Sequence, residues 1–198
     1  MPTSYATLLE HARSSYFNNA KRNIELKEGN LCILYVIRPL SFYVTPFFLW
    51  LKLSANQVTW LSFGLGVLAS LALSAGTPAF LQLGTWLFLL FYIGDYVDGN
   101  IARVHGTTNY YGKFLDSVID CLVYSLFWLS LGMGVYRHAL TAETSFFPFF
   151  SNEPSLFLLV GSVATTAYLG ARFVKTRYAQ LLANVESIHP EKAGETGK

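Results

Sequence analysis

The chain has 198 residues and a formal net charge of +2, with 53% apolar, 16% aromatic and only 13% charged side chains. Such a composition excludes an ordinary soluble domain and offers no strongly basic surface for nucleic acid. It points to an integral membrane protein the size of one domain.

Apolar runs fall at about 31–53, 57–75, 79–94, 114–136 and 155–171, several close to the roughly 20 residues that a spanning helix needs. The expected fold is an all-α membrane bundle of at least four transmembrane helices. An amphipathic surface helix and an interfacial or re-entrant helix precede them.

In chain order, residues 1–30 are polar and mixed in charge, so no cleavable signal peptide is expected. Tyr5, Leu8, Leu9, Ala12 and Tyr16 recur at helical spacing against Glu10, His11 and Arg13. This pattern predicts an amphipathic helix lying on the membrane, with packing on its own domain as the alternative. The run 31–53, LCILYVIRPLSFYVTPFFLWLKL, contains Arg38, Pro39 and Pro46. Arginine at a bilayer centre is costly and proline breaks regular helix, so this run reads as interfacial or re-entrant. A spanning helix with an outside N-terminus is the competing reading. Cys32 and Cys121 lack metal-ligand spacing and read as small buried hydrophobes.

Basic residues favour the cytoplasmic side. Arg13, Lys21, Arg22, Lys27, Lys52, Arg103, Lys113, Arg172, Lys175, Arg177, Lys192 and Lys198 group at alternate connections, whereas 76–78 and 137–154 carry only Arg137. With those two segments outside, 57–75 runs outward, 79–102 inward, 109–136 outward and 155–175 inward. The expected divisions are a cytoplasmic segment 1–30, the interfacial helix 31–53, a transmembrane domain 54–178 and a polar cytoplasmic tail 179–198. The expected location is the inner membrane of a prokaryote, with the site facing the cytoplasm.

All four aspartates lie within DYVDGNIARVHGTTNYYGKFLDSVID, from Asp95 to Asp120. Residues three or four apart share a helix face, so Asp95 pairs with Asp98, and Gly112, Asp116 and Asp120 form one ridge. Two antiparallel helices would bring the carboxylates together at the membrane surface. Clustered carboxylates in a partly dehydrated place need compensation, and an all-oxygen set suits Mg²⁺, Mn²⁺ or Ca²⁺ over zinc. Gly99 and Ala102 leave that face bare, and Arg103 supplies a fork suited to phosphate oxygens. Together these features suggest a phosphate-bearing substrate held through metal ions.

The pattern Asp95-x-x-Asp98-Gly99-x-x-Ala102-Arg103, followed after a spacer by Gly112-x-x-x-Asp116-x-x-x-Asp120, resembles the complete signature of the CDP-alcohol phosphotransferase family. By chance it would arise on the order of 10⁻¹⁰ times per starting point at average residue frequencies. The resemblance implies a helical membrane enzyme, usually a homodimer, in which Mg²⁺ or Mn²⁺ occupies a two-metal site. Such an enzyme moves a substituted phosphate from CDP-diacylglycerol or another CDP-alcohol to a small alcohol acceptor and releases CMP, in phospholipid biosynthesis. It further implies that Asp95, Asp98, Asp116 and Asp120 hold the metals, with Asp120 also the general base. Gly99, Ala102, Arg103 and Gly112 would contact the cytidine diphosphate, and SANQVT, with Asn56 and Thr59, resembles the motif lining the nucleotide site.

The chain departs from the family in two respects. Members generally have six core helices, against four counted here. Members that use inositol phosphate resemble one another in a basic residue after the last aspartate and a later Lys-Ala-Arg. Here Cys121 and Gly170-Ala171-Arg172 stand in those places, which weighs against a strongly anionic acceptor and leaves Arg172 as the one match. Lys175 and Arg177 read as topological anchors, His105 as a solvated loop histidine, and Tyr110 and Tyr111 equally as interfacial aromatics or as residues reaching the donor. A divalent-cation transporter and a catalytically silent scaffold are the alternatives. A transporter's ligands belong near the midplane on broken helices, and Arg103 would repel a bare cation.

Overall fold

The structure, a computed structural model, describes residues 5–17, 31–107, 110–141 and 153–188. No strand occurs among them, and the chain is an all-α integral membrane bundle. Helix α1 covers Tyr5–Phe17 and α2 covers Ile33–Trp50, beginning with a π-helical stretch at Ile33–Ile37. Four long helices follow: α3 (Ala55–Ala75), α4 (Pro78–Val104), α5 (Tyr110–Thr141) and α6 (Ser155–Ile188). The basic residues Lys21, Arg22, Lys27, Lys192 and Lys198 lie outside the described residues.

The helix ends follow from local chemistry. Ser54 and Gln57 form a capping box: Ser54 Oγ accepts from the Gln57 amide at 3.3 Å, and Gln57 Oε1 accepts from the Ser54 amide at 2.8 Å. At the other end of α3, Gly76 adopts φ +80°, a left-handed cap that glycine takes without a Cβ penalty. Thr77 then caps α4, with Pro78 in its first turn.

In a bilayer the apolar faces gain little from meeting each other, so close approach and polar bonds hold the helices together. Leu49 of α2 packs with Val58 of α3 and with Ile93, Val97 and Ile101 of α4. A second cluster joins Phe91 of α4 to Leu115, Ile119 and Val123 of α5. Helix α3 packs on both α4 and α5, which touch each other only sparingly. Helix α6 lies along α5 where Gly132 meets Gly161; a Cβ on Gly132 would stand 2.9 Å from the Gly161 Cα. Thr165 Oγ1 also reaches the Ser125 carbonyl at 3.3 Å.

Two sequence expectations change in detail. Cys32 is exposed beside the uncovered first turn of α2, and Cys121 on α5 is half-buried. The amphipathic helix α1 turns Ala12 and Tyr16 onto the protein, fully buried against α2 and α4, so much of its apolar edge is already covered. Helix α6 continues to Ile188, while its apolar stretch ends at Tyr178. Its last turns, AQLLANVESI, are mostly good helix formers and meet no proline before Pro190.

Candidate active site

The end of α4 and the start of α5 carry the acidic motif, as the helical spacing predicts. Asp95, Asp98 and Asp116 each offer a carboxylate oxygen, and the three oxygens lie within 4.8 Å of one another. Ligands of a hard octahedral ion bound at about 2.1 Å stand roughly 3.0 Å (adjacent) to 4.2 Å (opposite) apart, so a small contraction brings all three onto one ion. The oxygen-only set therefore fits a hard divalent ion such as Mg²⁺, Mn²⁺ or Ca²⁺.

Asp98 is buried, and its orientation is set from α3. Thr59 Oγ1 lies 2.5 Å from Asp98 Oδ2 and donates to it. The segment SANQVT thus has two uses: Ser54 and Gln57 start the helix, and Thr59, one turn further along, reaches the acidic cluster. Asn56 sits half-buried in the first turn of α3.

Asp120 stands at the edge of the group. Arg172 Nη2 lies 3.8 Å from its Oδ2 and 3.4 Å from the Ser117 carbonyl, so α6 delivers a guanidinium to the last aspartate. Gly99 faces the Arg103 fork: a Cβ added there would lie 3.5 Å from Arg103 Nη1. Ala102 and Gly112 are half-buried on the same helical ridges. His105, Tyr110 and Tyr111 are exposed around the connection. Asp95, Asp98 and Asp116 thus converge where α4 meets α5, with Thr59 of α3 on Asp98, and neither α4 nor α5 is broken there.

A second polar group adjoins the motif and does not follow from the sequence alone. Asn100, fully buried, accepts from Arg103 Nη2 at 2.6 Å and from Arg38 Nη1 at 3.4 Å. Its Nδ2 donates to Ser41 Oγ at 3.2 Å and Thr45 Oγ1 at 3.0 Å. Arg38 is buried between the rings of Tyr16 and Tyr96, 4.5 and 4.6 Å from their centroids. The sequence signal was the arginine inside an apolar run, which reads as a costly residue until α2 is folded against α4.

Residues 52–193 match the CDP-alcohol phosphatidyltransferase family. The chain belongs to this family. A stretch of 81 residues is also 39% identical to the phosphatidylinositol phosphate synthase of Cutibacterium acnes, covering 41% of this chain and 34% of that relative. The match therefore spans about a third of the relative's length. The acidic cluster Asp95, Asp98 and Asp116 lies inside the stretch that matches the family.

Proposed function

We propose that this protein transfers a phosphatidyl group from CDP-diacylglycerol to a small alcohol, releasing CMP at a site facing the cytoplasm. The observation that carries the reading is the convergence of Asp95, Asp98 and Asp116 within 4.8 Å. Bound Mg²⁺ or Mn²⁺, one or two ions, would supply charge neutralisation on the diphosphate and so a better leaving group. Asp95, Asp98 and Asp116 would hold the metal, with Asp120 completing a two-metal set. Arg103 engages the diphosphate oxygens, and Asn56, Gly99, Ala102 and Gly112 shape the nucleotide side.

Asp120, at the rim beside Arg172, takes the proton of the acceptor hydroxyl. The acceptor oxygen then forms its bond to the phosphorus bearing the diacylglycerol, and the bond from that phosphorus to CMP breaks. A cavity of about 520 Å³ between α4 and α5, lined by Trp86, Phe88, Leu89, Tyr92 and Tyr124 among others, supports a donor with acyl chains. Placement of α2 at the cytoplasmic interface is supported by its bonds to Asn100, near the end of α4, and by its short link to the start of α3. A homodimer is the expected assembly.

Arg172 beside Asp120, and the likeness to a phosphatidylinositol phosphate synthase, both favour a phosphate-bearing acceptor. Cys121 and Gly170, where inositol phosphate users resemble one another in basic residues, stand against it. Incubation with CDP-diacylglycerol, Mn²⁺ and a panel of glycerol phosphate, inositol, inositol phosphate, serine, choline and ethanolamine decides the matter. One lipid product is expected; no product from folded protein with any of them contradicts the reading. If the acceptor carries phosphate, Arg172→Ala is expected to raise its KM roughly tenfold and leave the donor KM unchanged.

Thr59→Val removes the hydroxyl that orients Asp98 while keeping its shape. Mn²⁺ affinity, measured by isothermal titration, is expected to fall about tenfold or more.

A further inference from the structure

The motif arginine is held by a neighbour that the chemistry does not touch. Asn100 uses all of its bonding capacity inside the protein: Oδ1 accepts from Arg103 at 2.6 Å and from Arg38 at 3.4 Å, and Nδ2 donates to Ser41 and Thr45 at 3.2 and 3.0 Å. The amide orientation is forced. Guanidinium groups have no acceptor, so only Oδ1 can face them. The hydroxyls of Ser41 and Thr45 spend their own protons on the carbonyls of Arg38 and Ser41, at 2.8 and 2.7 Å, and therefore present lone pairs to Nδ2.

Each anchor of this clamp is itself fixed. Arg38, only 2% exposed, is sandwiched by Tyr16 of α1 and Tyr96 of α4. Its burial keeps it from touching a ligand, and it shares both Asn100 Oδ1 and the Tyr16 ring with Arg103. Ser41, Thr45 and Arg38 all come from α2, which precedes the residues matching the family. The arrangement therefore ties a motif side chain to a part of the chain outside that match.

We infer that Asn100 is a positioning residue for Arg103, pinning its guanidinium to α2 so that the fork already faces the site when a nucleoside diphosphate arrives. Left to itself, a long arginine side chain loses rotamer freedom on binding; held by Asn100 it has lost part of it on folding. A neutral amide suits this task. An aspartate at the same place would hold both arginines equally well and cancel the positive charge that a diphosphate needs.

The inference rests on the nucleotide reading proposed above, and the test separates the two. CDP binding in the presence of Mn²⁺ is measured for the parent protein, Asn100→Ala, Arg103→Ala and the double variant. Asn100→Ala is expected to weaken CDP binding roughly tenfold in the parent and less than about twofold once Arg103 is gone, since coupled groups are non-additive. A purely structural role predicts the same factor in both backgrounds, and that result overturns the inference, as does unchanged CDP binding in folded Asn100→Ala. If Asn100→Ala does not fold, Thr45→Val removes one of the bonds to Nδ2 while keeping side-chain volume. It is expected to cost about threefold in the parent and nothing in Arg103→Ala, and equal losses overturn the inference. Failure of the parent to bind CDP overturns the nucleotide reading and this inference with it.

Discussion

Asp95→Asn is expected to lower metal-dependent turnover on the order of a thousandfold and, in the same protein, to raise the unfolding temperature measured without metal. Both effects come from the three carboxylate oxygens lying within 4.8 Å of one another. An ionised pair at such a distance repels by roughly 3 kcal/mol at an effective dielectric of 20. Removing one charge relieves part of that repulsion, and a gain of about 1 kcal/mol corresponds to roughly 2–4 °C for a chain of this size. The loss of activity follows because a neutral amide binds a hard divalent ion poorly and leaves the diphosphate charge uncompensated. Thermal unfolding in detergent with EDTA and with Mn²⁺ checks the pair of effects. The parent should gain stability from Mn²⁺ and the variant should not; an equal Mn²⁺ response in both would show that Asp95 is not a ligand.

Gly134→Val tests the scaffold that carries two of the aspartates. A Cβ at Gly134 would lie 2.0 Å from the Leu73 carbonyl oxygen and 3.0 Å from its carbon, so neither helix can yield by a side-chain rotation. Helix α5 would have to move off α3, and α5 bears Asp116 and Asp120. A loss on the order of 3 kcal/mol is expected, together with loss of turnover. Gly64, also on α3, has nothing within 4 Å of an added Cβ. Gly64→Ala should therefore be neutral or stabilising by up to about 1 kcal/mol, through helix propensity alone. Denaturation of the two variants side by side checks this; similar losses in both would contradict the close packing of α3 on α5.

The parts of the site that were legible in the sequence are those set by helical spacing. Asp95 with Asp98, and Gly112 with Asp116 and Asp120, needed only the 3.6-residue repeat and a reversal of chain direction between them. The likeness of SANQVT to a known motif pointed Thr59 at the nucleotide; its bond to Asp98 was not legible, and Ser54 and Gln57 in the same stretch act as a helix cap. The clamp on Arg103 was not legible, because Arg38, Ser41 and Thr45 lie 55 to 62 residues from Asn100 and meet it only through the packing of α2 on α4. In the sequence Arg38 registers as a cost to the membrane and Asn100 as a spacer in the motif.

The fold divides in the same way. Apolar run length located α2 to α6, all five long and apolar enough to cross a bilayer. The covered face of α1 depended on its docking, which puts Tyr16 against Arg38 and Phe42. The extra turns of α6 depended on propensity beyond the apolar stretch. The relation of Asp120 to Arg172 required α6 to lie along α5, a contact set by Gly132 and Gly161 rather than by any hydrophobic repeat.

The central claim is that the acidic cluster is a divalent-metal centre for phosphatidyl transfer. CMP release from CDP-diacylglycerol, followed with purified protein and the acceptor panel while Mg²⁺ or Mn²⁺ is titrated from zero, tests it most directly. The account predicts no CMP without metal, a saturable rise with either ion, and none at any concentration in Asp120→Asn. CMP release that persists in excess EDTA, or that survives Asp120→Asn at the parent rate, would contradict it.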